Sequence, residues 1–286
     1  MNGFAPENLG LTTAGLPLLR DLIHERTGLF FDNGRYDTLF DRLAPLVIER
    51  GLRSFLDFYY LLKYDDGSAA DEWLNVMNAL AVQETYFWRE IDQLRALASQ
   101  VIPELVRASD GRPLRIWSAP CATGEEPLSI AMMLNETGWF DRAPIEIHAS
   151  DGSTAAIERA RVGLYRERAF RSLPRAMREK YFTPAGEQWK PCSELAARIT
   201  SWSVVNLMRD QETALYASSA AIFCRNAFIY FSPESVKHVV EHFADRMPAH
   251  GHLFVGASES LMRVTDRFVL QEIDGAFVYV KRDRSA

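Results

Sequence analysis

Carboxylates and other polar side chains follow short apolar runs at several points in the second half of the chain. After the apolar run that begins at Ile116, a short loop leads to Glu125, Glu126 and Pro127. Proline suits the first turn of a helix, and carboxylates there favour the positive end of the helix dipole and repel phosphate. Two interpretations follow. Either these glutamates accept hydrogen bonds from a ligand that is a cation or a hydroxyl donor, or they only stabilise the helix end.

This apolar run, loop and helix predict the kind of junction at which nucleotide-like ligands bind in open α/β sheets. The loop holds a single glycine, Gly124, and so lacks the G-x-G-x-x-G spacing that lets a backbone approach a pyrophosphate. The pattern argues against NAD and FAD. Asp151 ends the next apolar run, where an acidic side chain accepts hydrogen bonds from a ribose diol in nucleotide-binding folds. The alternative is that Asp151 only caps the following helix.

A third group of polar residues follows the apolar run that begins at Ala221. Arg225, Asn226 and Tyr230 come directly after it, and we expect them at the carboxyl edge of the sheet. Polar residues in this position are poor core residues and good site residues. Tyr230 by itself would suggest a packed surface aromatic, and its neighbours are the reason to single it out.

The hydrophobic periodicity divides the chain into a helical part and a part with alternating strands and helices. Apolar residues recur at helical spacing from Leu16 to about Leu80, which predicts a small helical domain over residues 1–80. Within it, Pro45 should kink or split the second helix. Residues 81–110 form a connecting segment with a helix at about 90–108.

Residues 111–286 show seven strand-like runs, the earlier of which are separated by helical patterns. These runs are 114–117, 145–149, 201–205, 221–224, 253–256, 268–272 and 277–281. Alternation of this kind predicts a mainly parallel sheet covered on both faces. Asp274 and Gly275 indicate a hairpin that makes the final strand antiparallel. The insertion at 183–200 is either a small antiparallel lobe, which we favour, or a long loop.

The bulk properties exclude several classes of protein. A net charge of −6 gives no general attraction to nucleic acid or to an anionic membrane. The three cysteines, Cys121, Cys192 and Cys224, have neither disulfide-framework nor zinc spacing, so we expect buried, reduced thiols and no metal. The first residues lack a leader pattern and no apolar run approaches 18 residues, which predicts a cytoplasmic protein that does not insert into membranes.

Six segments together resemble the CheR-type chemotaxis methyltransferases, which transfer a methyl group from S-adenosyl-L-methionine (AdoMet) to glutamate side chains of chemoreceptors. The segments are E-T-Y-F-W-R-E at 84–90, W-S-A-P-C-A-T-G-E-E-P-L-S-I-A at 117–131, A-S-D at 149–151, V-N-L at 205–207, I-F-C-R-N-A-F-I-Y-F at 222–231 and G-A-S-E-S-L at 256–261. The resemblance implies an α/β fold, with a Rossmann-like seven-stranded methyltransferase sheet, a small N-terminal all-α domain and a small β insertion.

The same resemblance implies the site residues. AdoMet contacts are carried over to Thr85, Arg89, Glu126, Asp151, Asn206, Leu207, Arg225 and Asn226, and Arg89 and Tyr230 are placed beside the reacting methyl group as catalytic residues. Gln83 stands where the family usually has asparagine, and we include it among the cofactor contacts. The expected cofactor is AdoMet, with S-adenosyl-L-homocysteine (AdoHcy) as the product.

The resemblance further implies that the partner is the cytoplasmic domain of a chemoreceptor or receptor-like protein, and we expect the enzyme to be a monomer. The family presents a basic helix to its receptor, but residues 1–78 here hold seven basic and twelve acidic residues. The arginines of the candidate helix, Arg35, Arg42 and Arg50, are interleaved with acidic residues. This pattern indicates either a solvated face with internal ion pairs or a protein with an unusual substrate.

A scaffold that binds AdoMet or AdoHcy without transfer is the alternative function. An RNA or small-molecule methyltransferase is disfavoured by the acidic balance.

Overall fold

The structure is a computed structural model that describes residues 11–65, 67 and 69–282. The first ten residues, on which the expectation about a leader depends, lie outside the described residues. The first part of the chain contains helices α1 (Leu16–Thr27), α2 (Tyr36–Glu49), α3 (Phe55–Tyr64) and α4 (Ala69–Leu80). They bury apolar residues such as Leu19, Leu43 and Phe58 in a common core, as the helical spacing predicts.

Local signals set the ends of these helices. Gly28 ends α1 in the left-handed conformation, and the Ser54 hydroxyl accepts a hydrogen bond from the Asp57 N–H at the start of α3. Pro45 lies inside α2, and the helix continues through it. Of the two predicted outcomes, a split is therefore wrong, because only one backbone hydrogen bond is lost and Leu43, Ala44 and Val47 remain packed in the core; a kink stays a prediction.

One long helix connects the helical part to the sheet. It runs through α5 (Ile91–Ala96), a π-helical turn (Leu97–Val101) and α6 (Ile102–Ala108), close to the predicted 90–108. Its apolar side is buried against the sheet, which fixes the residues just before it in the chain.

Within the described residues, the main sheet has seven strands: β1 (Leu114–Ser118), β2 (Ile145–Asp151), β5 (Ile199–Val204), β6 (Ala221–Phe223), β7 (His252–Phe254), β8 (Phe268–Ile273) and β9 (Ala276–Lys281). Each strand end is within two residues of the prediction, and the order across the sheet is β5-β2-β1-β6-β7-β9-β8. The first five are parallel, and β9 is antiparallel to both β7 and β8, as the hairpin signal predicts.

Helices cover both faces of this sheet. The main ones are α7 (Glu125–Glu136), α8 (Thr154–Val162) and α12 (Pro233–Arg246), with short helices α9 (Arg175–Tyr181), α10 (Ser193–Ala196) and α11 (Asp210–Thr213) between them. Successive strand residues such as Ile116 and Trp117 enter different core clusters, because side chains alternate along a strand. The insertion contains an antiparallel hairpin of β3 (Phe182–Ala185) and β4 (Gln188–Pro191), which confirms the small lobe.

Candidate active site

A cavity of about 360 Å³ lies between the helical domain and the carboxyl edge of the sheet. Its sheet wall follows β1, β2, β5 and β6, and so includes the point between β1 and β6 where the strand order reverses. That point is the usual ligand site of an open α/β sheet. The helical domain supplies the opposite wall through Phe30, Phe31, Arg35, Arg42 and Met77.

Six of the predicted site residues line this cavity and four do not. The lining residues are Gln83, Asp151, Asn206, Leu207, Asn226 and Tyr230. Thr85, Arg89, Glu126 and Arg225 are not among the lining residues. The structure therefore separates the predicted set into a cavity wall and a group that lies around or beneath it.

Asp151 is fixed at the end of β2 by two backbone donors. One carboxylate oxygen accepts from the Ser153 N–H and the other from the Ala122 N–H, both at 2.9 Å. Burial raises the pKa of Asp151, and these two N–H donors oppose that rise. The helix cap of α8 is the Ser153 hydroxyl, which accepts from the Ala156 N–H, so Asp151 is not the cap. Each carboxylate oxygen keeps a second lone pair for a hydroxyl donor.

Asn226 adopts a left-handed backbone conformation, with φ of 58°. Glu259, from the loop after β7, holds it there by accepting from the Asn226 N–H at 2.7 Å. The same carboxylate accepts from the N–H groups of Gly256 and Ile229, and thereby ties the loop after β6 to the loop after β7. Burial raises the pKa of Glu259, against the effect of these donors. A Cβ at Gly256 would lie 2.6 Å from the Asn226 amide nitrogen, so the position needs glycine.

Glu126 and Arg225 form a buried ion pair, with the Arg225 Nε 2.6 Å from a Glu126 oxygen. The other Glu126 oxygen accepts from the Ser118 hydroxyl at 2.7 Å. The sequence predicted a hydroxyl donor or a cation as the partner of these glutamates. In the structure, Ser118 is such a donor and Arg225 such a cation, and both belong to the protein itself. Glu125 accepts from the Thr123 hydroxyl, and burial raises its pKa. Ligand contacts by Glu126 and Arg225 remain a prediction.

Arg89 lies in a turn with unusual backbone geometry. Trp88 and Glu90 on either side have φ of 68° and 52°, and such left-handed residues persist only where the surroundings hold them. Arg225 Nη1 donates to the Arg89 carbonyl at 3.0 Å, and the Trp88 N–H donates to the Ser129 hydroxyl. The Arg89 guanidinium donates to the Glu84 carbonyl and lies 5.5 Å from the centre of the Tyr86 ring. Thr85, in the same segment, is half-buried.

Three further predicted cofactor contacts line the cavity, and their side chains are held in different ways: Gln83, Asn206 and Leu207. The Gln83 side-chain oxygen accepts from Arg159 at 2.8 Å, while Leu207 is buried. The Asn206 amide nitrogen donates to the Arg26 carbonyl in α1, and its oxygen accepts from the Met208 N–H. Asn206 therefore also joins the sheet to the helical domain.

Tyr230 lies at the seam between the two domains. Its carbonyl accepts from the Phe30 N–H at 2.8 Å, beside a backbone pairing of Leu29 with Phe231. Within the described part of the chain, the Tyr230 hydroxyl makes no hydrogen bond. The hydroxyl can therefore donate to a ligand in the cavity.

Sequence reasoning missed two parts of this site. Glu259 belongs to the segment G-A-S-E-S-L, and its position directly after a buried strand was a signal of the same kind as that of Arg225 and Asn226. The helical wall was missed because Arg35 and Arg42 are distant from the sheet in sequence. Arg42 does not pair with Asp41 but donates to the Leu80 carbonyl at the end of α4, and Arg50 pairs with Glu72.

The three cysteines are free thiols that differ in burial. Cys121 and Cys224 are buried, whereas Cys192 is only half-buried. Over residues 11–65, 67 and 69–282, no three His, Cys, Asp or Glu side chains are arranged to hold a metal ion. Over the same residues, the helices are too short or too polar to cross a membrane.

Two family descriptions match the chain, one for each part. Residues 14–81 match "CheR methyltransferase, all-alpha domain", and residues 83–277 match "CheR methyltransferase, SAM binding domain". The chain belongs to the CheR methyltransferase family. As a CheR protein it is an AdoMet-dependent methyltransferase, and residues 83–277, which contain the sheet, match the AdoMet-binding domain of the family.

Several chemotaxis protein methyltransferases match this CheR chain over most of its length. It is 33% identical to chemotaxis protein methyltransferase 2 of Vibrio cholerae, over 92% of this chain and 91% of the relative. It is 31% identical to the chemotaxis protein methyltransferase of Escherichia coli K12, over 93% and 91%. It is 26% identical to chemotaxis protein methyltransferase 1 of Pseudomonas aeruginosa, over 95% and 99%.

The cavity fits the cofactor of this family. Asp151 offers carboxylate oxygens for a ribose diol, Leu207 and Val205 offer an apolar surface, and Asn226 and Gln83 offer amide groups. The volume of about 360 Å³ lies within the range of small-molecule sites, roughly 300–1,000 Å³.

Proposed function

We propose that this CheR protein transfers the methyl group of AdoMet to glutamate side-chain carboxylates of methyl-accepting chemotaxis receptors, giving glutamate methyl esters and AdoHcy. The receptor's cytoplasmic domain is the partner, and the reaction serves sensory adaptation. The relatives support this proposal because they are chemotaxis protein methyltransferases that match both domains. In this proposal the enzyme works as a cytoplasmic monomer.

The observation that carries the proposal is the composition of the cavity wall. Asp151, Asn226 and Tyr230 from the sheet line the same cavity as Arg35 and Arg42 from the helical domain. One side thus offers acceptors for a hydroxylated, cationic cofactor, and the other offers cationic donors for a carboxylate. A cofactor and a glutamate side chain could therefore meet between the domains.

Methyl transfer to a carboxylate does not require the protein to remove a proton from the substrate. AdoMet supplies an electrophilic methyl group on a sulfonium when it is bound. The attacking carboxylate has an ordinary pKa of about 4.3 and is already ionised at neutral pH, so no general base is needed. The side chains must instead align the carboxylate and replace part of its hydration shell.

Arg89 and Tyr230 are the side chains that we assign to this alignment. The Tyr230 hydroxyl can donate one neutral hydrogen bond to the carboxylate. Arg89 can bind carboxylate oxygens of the substrate or cofactor once its guanidinium rotates away from the Glu84 carbonyl. Its rigid, left-handed turn fixes the backbone from which the side chain starts.

The test uses methyl-labelled AdoMet and cytoplasmic fragments of receptors from the same cell. Esters release volatile methanol in base, whereas N-methyl groups do not. We expect base-labile label on wild-type reactions and about a 100-fold lower rate for Arg89→Ala, the loss typical of removing one positioned donor. Arg95→Ala is the matched control, because Arg95 lies in α5, is exposed and pairs with Asp92 of the same helix.

Two results would change the assignment. Wild-type turnover by Arg89→Ala would remove Arg89 from the mechanism. AdoMet binding without label on any receptor fragment would favour the scaffold function, in which the protein binds AdoMet or AdoHcy and transfers nothing.

A further inference from the structure

The charge of this chain is unevenly distributed. Residues 159–198 hold ten arginines and lysines and four acidic residues, a net charge of +6. The rest of the chain holds 22 basic and 34 acidic residues, a net charge of −12. The basic side chains are therefore concentrated in the segment from α8 to the small β hairpin, outside the helical domain.

Four exposed arginines of this segment form what we call the arginine surface: Arg159, Arg166, Arg168 and Arg171. Arg168 and Arg171 both donate to the carboxylate of Glu84, at 3.1 and 2.9 Å. Among the described residues, Arg159 and Arg166 have no carboxylate partner. Arg168 and Arg171 thus share the single carboxylate of Glu84, and the neighbouring Glu167 pairs with Arg178.

The arginine surface adjoins the predicted site. Arg159 donates to Gln83, which lines the cavity. The Arg171 guanidinium lies 3.7 Å from the centre of the Tyr86 ring, and Arg89 lies over the same ring at 5.5 Å. The surface therefore reaches the segment 83–89 that carries Gln83, Thr85 and Arg89.

The backbone that carries Arg168 is held in place. The Phe87 N–H donates to the Ala169 carbonyl at 2.9 Å, and the Phe170 ring stacks on Phe87 at 5.0 Å. Phe87 and Phe170 are buried, so the short turn at Glu167–Phe170 is packed against the site segment. Its arginines are presented on a rigid base, which lowers the entropy lost on binding.

We propose that the arginine surface binds an acidic segment of the methyl-accepting protein next to the glutamate that enters the cavity. This inference rests on the proposed function, because the partner is the substrate itself. Charge complementarity supports it: residues 1–78 hold more acidic than basic residues, whereas residues 159–198 carry a net charge of +6 that attracts an acidic segment. Arginine also binds carboxylates with two parallel donors.

The experiment compares Arg168→Glu with Arg112→Glu, using receptor cytoplasmic fragments and methyl-labelled AdoMet. The Arg168 side chain is 78% exposed, so the substitution should leave folding intact. Arg112 is exposed just before β1, at the amino edge of the sheet, and its reversal changes the net charge equally. We expect Arg168→Glu to raise KM for the fragment about tenfold and Arg112→Glu to change it less than twofold.

Two further measurements sharpen the result. Higher ionic strength should shrink the difference between Arg168→Glu and wild type, because exposed charges are screened. The affinity for AdoHcy and the kcat at saturating fragment should match wild type. Loss of AdoHcy affinity in Arg168→Glu would overturn the proposal, since Arg168 would then support the cofactor site.

The outcomes separate this inference from the function on which it rests. Equal KM values for Arg168→Glu and Arg112→Glu, with active wild type, would overturn the arginine surface and leave the proposed function standing. Absence of base-labile transfer by wild type to every receptor fragment would overturn both.

Discussion

Asp151 accepts hydrogen bonds from two backbone N–H groups while its carboxylate lines the cavity. Burial raises its pKa above the ordinary aspartate value of 3.8. As the pH falls through that raised pKa, a proton occupies one oxygen and removes an acceptor for a ribose hydroxyl. We therefore expect AdoHcy affinity to fall on acidification at a pH above the range in which ordinary aspartates titrate.

Calorimetric titration of AdoHcy across pH checks this prediction for Asp151. The Asp151→Asn variant should bind more weakly at neutral pH and should lose most of the acid dependence. If Asp151→Asn kept the wild-type pH profile, another group, such as the buried Glu259, would have to account for it.

Arg225 is the cation of a buried pair and also donates to the Arg89 carbonyl. Its removal leaves the Glu126 carboxylate buried without its cation, which typically costs about 3–5 kcal/mol. We expect Arg225→Ala to lose stability of that order in urea unfolding. The control is Arg175→Ala, whose exposed pair with Glu179 is screened by solvent and should contribute little to stability. Unchanged stability with weaker AdoHcy binding would instead assign Arg225 to the cofactor.

At the scale of elements, one side chain of α4 completes the start of α8. The Asn78 oxygen accepts from the Ser153 hydroxyl at 2.7 Å and from the Ala155 N–H at 3.1 Å. Its amide nitrogen donates to the Thr154 hydroxyl at 2.8 Å. The helix that follows Asp151 is therefore capped partly by the other domain.

Asn78→Ala should consequently destabilise the protein by about 1–2 kcal/mol, the size of a lost helix cap. Asn75→Ala is the matched control, because Asn75 lies in α4, is exposed and donates its side-chain hydrogen bond to Glu72 of the same helix. Thermal unfolding of both variants gives the comparison. Equal midpoints would show that the contact between α4 and α8 contributes no stability.

The elements show which features local sequence can predict. Strand ends were correct to within two residues because apolar runs, turn residues and helix caps act over a few positions. Asp151, Asn226 and Tyr230 were predicted because they lie at or after the carboxyl end of a strand, and the structure places all three on the cavity wall. The helix α2 is not split at Pro45 because its tertiary packing outweighs one lost hydrogen bond. Arg35, Arg42 and Glu259 reach the site through contacts between distant parts of the chain, which spacing does not reveal.

At the scale of the whole molecule, the cavity lies between two domains that also contact each other directly. The Phe30 N–H donates to the Tyr230 carbonyl, and the Asn206 amide donates to the Arg26 carbonyl. Phe30, Tyr230 and Asn206 line the cavity, and Arg26 directly precedes the lining residue Thr27. The position of the helical domain should therefore depend on the same loops that contact the cofactor.

A ligand held between the domains should stabilise both at once. Binding to the native state alone adds RT ln(1 + [L]/Kd), about 2.7 kcal/mol at a ligand concentration of 100 Kd. We expect AdoHcy to raise the unfolding midpoint and to slow hydrogen exchange in α1 to α4 as well as in the sheet. Asp151→Asn, at the same AdoHcy concentration, should show a smaller effect in both domains. Slower exchange in the sheet with unchanged exchange in α1 to α4 would mean that the helical wall does not take part in cofactor binding, and Arg35 and Arg42 would then be available only to the substrate.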